Sequence, residues 1–153
     1  MNETRHATSN EAVQRPALLA AALKVAIVLL AIIAGAIHLS LGGMLFTLNA
    51  LGYFGLAAAY LVVAVISHPL VVRFSWLPRL ALIGYAATSI VAWMVIGGFY
   101  WLGYLTKGLE LTLILLVVVD IFRVYGGVRS LARAAVESGR WALTAIRTRS
   151  LGE

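Results

Sequence analysis

The sequence predicts an all-α membrane protein, a transmembrane four-helix bundle with a C-terminal amphipathic interfacial helix. Three observations carry that expectation. Of 153 residues 62% are hydrophobic and only 12% are charged, more apolar surface than a soluble domain of this size can bury. The apolar residues come in runs close to the ~20 that a hydrocarbon layer of ~30 Å demands of a helix rising 1.5 Å per residue. The runs are apolar on every side, where barrel strands would alternate apolar with polar.

In chain order, residues 1–15 are polar without an apolar period and read as a cytoplasmic N-tail. Residues 16–125 hold the four spans, at about 16–41, 44–67, 79–99 and 107–122. Lys24 stands near the start of the first and can snorkel its ammonium to the headgroups. Gly42 and Gly43 form the first turn, because paired glycines break a helix at little cost. The second span stops at His68-Pro69, since proline disfavours helix in the residue before it. Residues 70–78 mix apolar, aromatic and basic side chains suited to a headgroup layer, and Tyr100, Trp101 and Tyr104 form an interface belt beyond the third span. Small residues four apart, Ala31 with Gly35, Gly55 with Ala59 and Gly84 with Thr88, mark expected helix contacts.

After Gly126-Gly127, residues 128–153 form a basic amphipathic cytoplasmic tail. On a helical wheel Arg129, Arg133, Arg140 and Arg147 share a stripe with Glu137, while Leu131, Ala135, Ala142 and Ile146 take the other side. That posture suits the anionic inner leaflet, with an acidic partner protein as the alternative.

Orientation follows from the basic residues. Four spans put the N-tail, the second loop and the C-tail on one side with eleven of the twelve lysines and arginines, and Lys107 on the other. By the positive-inside rule both termini are cytoplasmic and the protein is a multi-pass protein of the cytoplasmic membrane. Ala34-Gly35-Ala36 has the form of a signal-peptidase site, but the polar leader is long and the run before it is span-length. The formal charge of +6 is accordingly an orientation signal and not a nucleic-acid footprint.

No cysteine is present, which excludes disulfides and thiol chemistry, and no catalytic motif or metal-ligand cluster is found. A haem held by two histidines is disfavoured, because His38 and His68 lie at opposite membrane faces and His6 is in the tail. A single-histidine haem or a quinone stays open, and no cofactor is predicted. Ionisable groups within the spans are the remaining candidates for function, because uncompensated charge in hydrocarbon costs ~3 kcal/mol or more. His38, Asn49, Tyr53, Tyr100, Tyr104, Lys107 and Glu110 all fall at the outer level, and Lys107 and Glu110 can pair three residues apart. This layer is either a pocket for a quinone, lipid head group or small solute, with His38 and Glu110 exchanging protons, or a set of groups that satisfy one another, with His38 bonding Asn49 across the hairpin. Asp120 and Arg123 are expected to pair at the inner end of the fourth span, and Thr88 and Ser89 to bond their own helix backbone.

The strings GAIHL (35–39), LFTLNALGY (45–53) and LGYLTKGLELTLIL (102–115) resemble segments of small, uncharacterised four-helix bacterial membrane proteins. The resemblance covers the transmembrane part and implies that His38, Asn49, Lys107 and Glu110 belong to a recurring pattern. It brings no activity with it. The leading functional expectation is a non-enzymatic accessory or scaffold subunit with a membrane-protein partner or a second copy of itself; the alternative is a binder or carrier of a small lipophilic ligand.

Overall fold

The computed structural model describes residues 3–150, with side chains from 16 to 147. Six helices make up the described chain: α1 (Glu3–Ser40), α2 (Met44–Val65), α3 (Pro69–Arg73), α4 (Trp76–Ile96), α5 (Trp101–Tyr125) and α6 (Val128–Ser150). No strand occurs among the described residues. The backbone of α1 begins at Glu3, ahead of the Pro16 expected from the polar leader. Three helical stretches, Pro16–Ser40, α2 and α4, are each long and apolar enough to cross a membrane, and α5 with α6, bent by 75° at their junction, make up to a fourth.

The breaks fall where backbone chemistry puts them. Gly42 and Gly43 both take positive φ, +70° and +84°, which residues with a Cβ rarely adopt, so the chain reverses there from α1 into α2. His68 caps α3, its ring accepting a bond from the Leu70 amide, with Pro69 at the first helical position. Gly126 closes α5 in the left-handed conformation.

Helices α1, α2, α4 and α5 pack in a closed cycle, α1 on α2, α2 on α4, α4 on α5 and α5 on α1. Their shared core holds Ile27, Ala31, Ala34, Tyr53, Tyr60, Leu82, Leu113 and Val117. Gly35 lets α1 and α2 approach, since a Cβ there would stand 3.2 Å from the Ala50 carbonyl oxygen and closer still to the Phe54 ring. Gly55 and Gly84 are different: both are exposed and, among the described residues, a Cβ at either would meet open space.

The surface is apolar where a water-soluble protein's would be polar, and several ionisable side chains lie inside. Leu18, Leu29, Leu51, Leu61, Met94, Leu111 and Leu115 are exposed, whereas His38, Arg79, Glu110 and Asp120 are buried. Apolar side chains outward and charges inward is a stable arrangement only where the surroundings are themselves apolar.

Helix α6 leans on the ends of α4 and α5. The Ser138 hydroxyl bonds the Arg73 carbonyl at 2.9 Å, and the Arg73 guanidinium lies 4.8 Å from the Trp141 ring centre. Leu131, expected on a lipid-facing side, instead joins the core, because the 75° bend turns its face of α6 under the helix ends. Arg129, Arg133, Arg140 and Arg147 lie on the exposed side with Val136, Leu143 and Ile146.

Candidate functional site

Two buried polar clusters occupy opposite ends of the helix cycle. Glu110 and Asp120, ten residues apart on α5, anchor them and are separated by about 15 Å of helix rise.

The first cluster lies near the α1–α2 turn. Glu110 is 0% exposed. Its Oε2 accepts from Lys107 Nζ at 2.7 Å, the pairing its position one turn earlier on α5 predicts. Its Oε1 accepts from the Ser89 hydroxyl at 2.9 Å and lies 3.6 Å from His38 Nε2. Lys107 spends its other two protons on Ser89, on the hydroxyl at 2.8 Å and the carbonyl at 3.3 Å. Asn49 Nδ2 also donates to the Ser89 hydroxyl, at 3.4 Å. Ser89 thus uses its one donor and both lone pairs, and stands at the centre of the network.

His38 reaches the cluster from α1. Its Nδ1 is 2.8 Å from the Ala34 carbonyl of its own helix, and its ring leans on Tyr53 with centroids 5.6 Å apart. Tyr53 meets Tyr85 edge-on at 5.0 Å. The Tyr53 hydroxyl is buried within electrostatic reach of Glu110 and Ser89, yet it makes no hydrogen bond of good geometry. Tyr85 in turn donates to the Asn49 carbonyl at 3.2 Å and packs its ring end on Gly52, where no Cβ could fit beside it.

A cleft of about 480 Å³ opens beside this network, between the turn end of α1 and α2 and the facing ends of α4 and α5. His38, Asn49, Ser89 and Lys107 give it a polar floor; Leu41, Leu45, Phe46, Ala92, Trp93, Ile96 and Tyr100 give it apolar and aromatic walls. Trp93 is held in the wall by a 3.1 Å bond from its Nε1 to the Gly98 carbonyl. Gly103 allows this, since a Cβ there would lie 2.7 Å from that nitrogen.

The expected outer layer is therefore only partly one constellation. His38, Asn49, Tyr53, Lys107 and Glu110 converge, and Tyr100 lines the cleft. Tyr104 does not join them: it is 57% exposed and packs edge-on against Trp93 and tilted against Phe99, as a belt residue does. His38 and Asn49 do not bond each other across the hairpin, because His38 turns to its own helix and Asn49 to Ser89. Thr88 bonds its own helix, at the Gly84 carbonyl, but Ser89 turns inward to Glu110, seven residues beyond the core position Leu82.

The second cluster corrects a local reading. Asp120 pairs not with Arg123 but with Arg79 of α4, whose Nε donates to Oδ2 at 2.8 Å with both residues buried. The Tyr60 hydroxyl donates to the same oxygen at 2.8 Å. Arg79 Nη1 bonds the Ser75 carbonyl at 2.6 Å, and its guanidinium sits between the rings of Tyr60 and Tyr125, 5.5 and 5.8 Å from their centres. Arg123 instead reaches the Pro16 carbonyl at 3.2 Å. Two tyrosine rings, a tyrosine hydroxyl and a backbone carbonyl thus surround this ion pair.

Among the described residues no group of three or more histidine, cysteine or acidic side chains is placed to hold a metal ion. Comparison of the chain with protein-family models, with curated proteins and with solved structures found no match.

Proposed function

We propose that the chain is a four-span protein of the cytoplasmic membrane, both termini inside, that binds a small lipophilic molecule by its polar head in the cleft beside His38. The observation that carries this is the cleft itself: about 480 Å³, apolar and aromatic at the sides and polar at the floor. The fourth span in this reading is α5, and α6 lies on the anionic inner leaflet with Arg129, Arg133, Arg140 and Arg147 toward the headgroups.

The floor argues for a neutral head. The Lys107 charge is matched by Glu110, and its three protons are already committed. A phosphate or sulfate would find no uncommitted cation there, whereas a carbonyl oxygen needs only one donor from the rim. A quinone-type head meets that requirement, and its ring would lie among Phe46, Tyr85 and Trp93. The test is titration of the purified protein in mild detergent with a short-chain benzoquinone, following tryptophan fluorescence. Saturable quenching that Trp93→Phe removes is expected; quenching that rises linearly and is indifferent to Trp93→Phe contradicts the proposal.

A second reading, an accessory subunit, rests on the exposed stripes at Gly55 and Gly84, which face open space on α2 and α4 and would let a partner helix approach closely. It predicts a chain that co-purifies from native membranes under gentle solubilisation.

A further inference from the structure

The tautomer of His38 is fixed by its surroundings. A carbonyl oxygen only accepts, so the 2.8 Å contact with Ala34 makes Nδ1 the ring nitrogen that carries a proton. Neutral His38 therefore presents a bare lone pair at Nε2. That lone pair faces Glu110 Oε1 at 3.6 Å, an oxygen that is itself an acceptor toward Ser89. Two acceptors face each other inside the protein, and a proton on Nε2 turns the opposition into an ion pair. His38 also lines the cleft, whose floor otherwise has its Lys107 donors spent.

We infer that His38 Nε2, set against Glu110, is a proton-binding site, and that a carbonyl head entering the cleft binds together with one proton. The second half rests on the reading of the cleft given above. The ligand oxygen accepts from Nε2–H, which exists only in the imidazolium, so head group and proton each favour the other by linkage. The charges that face the ring are few among the described residues. From α5 come the Glu110 carboxylate, with Oε1 3.6 Å from Nε2, and the Lys107 ammonium paired with it. From α2 and α4, Tyr53 and Tyr85 are neutral phenols near neutral pH. From α1 itself, Lys24 lies fourteen residues back, about 21 Å along the helix. The site differs from the Arg79–Asp120 cluster in this respect, because arginine does not exchange its proton in proteins.

The experiment has two arms on the full-length protein. In the first, 15N-histidine spectra are recorded without ligand across about pH 5 to 8, the histidine range, with His38→Gln identifying the signal. Nδ1 protonated throughout, with Nε2 gaining its proton as pH falls, is expected. A ring with the proton on Nε2 and Nδ1 bare, or one in which Nε2 stays bare over the whole range, overturns the proton site. In the second, affinity for the short-chain benzoquinone is measured over the same range. The expected result is a weakening that approaches about tenfold per pH unit above the titration of His38, as uptake of one proton requires. His38→Gln, whose amide donates at every pH, is expected to bind with a flat profile. A flat wild-type profile overturns the coupling; absence of saturable binding at every pH overturns the ligand reading and leaves the first arm to decide the proton site.

Discussion

The two polar clusters bury the same kind of pair in different ways. At the Arg79 end, one arginine and one carboxylate are clasped by two tyrosines and a backbone carbonyl. At the His38 end, a lysine and a carboxylate are equally close, but a histidine lone pair faces a carboxylate oxygen, a buried tyrosine hydroxyl makes no hydrogen bond of good geometry, and a cleft stands alongside. Bonds that join three helices at one carboxylate point to a structural clamp between α2, α4 and α5, with the buried Trp76 indole nitrogen at the start of α4 left unbonded. Incomplete satisfaction beside a cavity is where a membrane protein keeps capacity for a ligand or a proton.

The largest effect expected from breaking this contrast is at the clamp. Asp120→Ala leaves a buried guanidinium without its counter-charge and is expected to cost about 3–5 kcal/mol, measured by thermal or denaturant unfolding in detergent. The protein that stays folded should bind the benzoquinone as before, because the cleft is about 15 Å away along α5. A parallel loss of affinity would dissolve the distinction between the two ends.

A smaller effect sharpens it. Gly52→Ala puts a methyl group where the end of Tyr85 lies, and the ring has to move within the cleft wall. Overpacking of this kind costs about 1–3 kcal/mol, and the lower value applies where the obstructing atoms are the far end of a side chain. The expected signature is a modest loss of stability with a larger change in benzoquinone affinity, read from unfolding and fluorescence titration on the same sample.

How far this was legible before the structure differs between the ends for a physical reason. The Lys107–Glu110 pair was open to sequence reasoning because its members are three apart on one helix. His38 stood out as an ionisable group in an apolar run. The same local rule misled at Asp120, where Arg123 is three residues away and Arg79 is forty-one. Nothing in spacing alone reveals that α4 begins at Trp76, which carries Arg79 from the expected boundary into the helix interior. Ser89 was hidden by its neighbour: adjacent hydroxyls at Thr88 and Ser89 cannot share a face, and only the packed register shows which one turns inward. Helix existence and approximate limits needed only length and hydropathy, whereas the cleft required knowing how four helix ends meet.

The claim beneath all of this is that the space beside His38 is occupied in use. Ala92→Phe tests it most directly, since Ala92 lines the cleft and makes none of the polar bonds described. Benzoquinone titration of this variant, alongside its unfolding curve, should show saturable binding abolished while stability stays close to wild type. Unchanged saturable binding with the cleft filled would contradict the account.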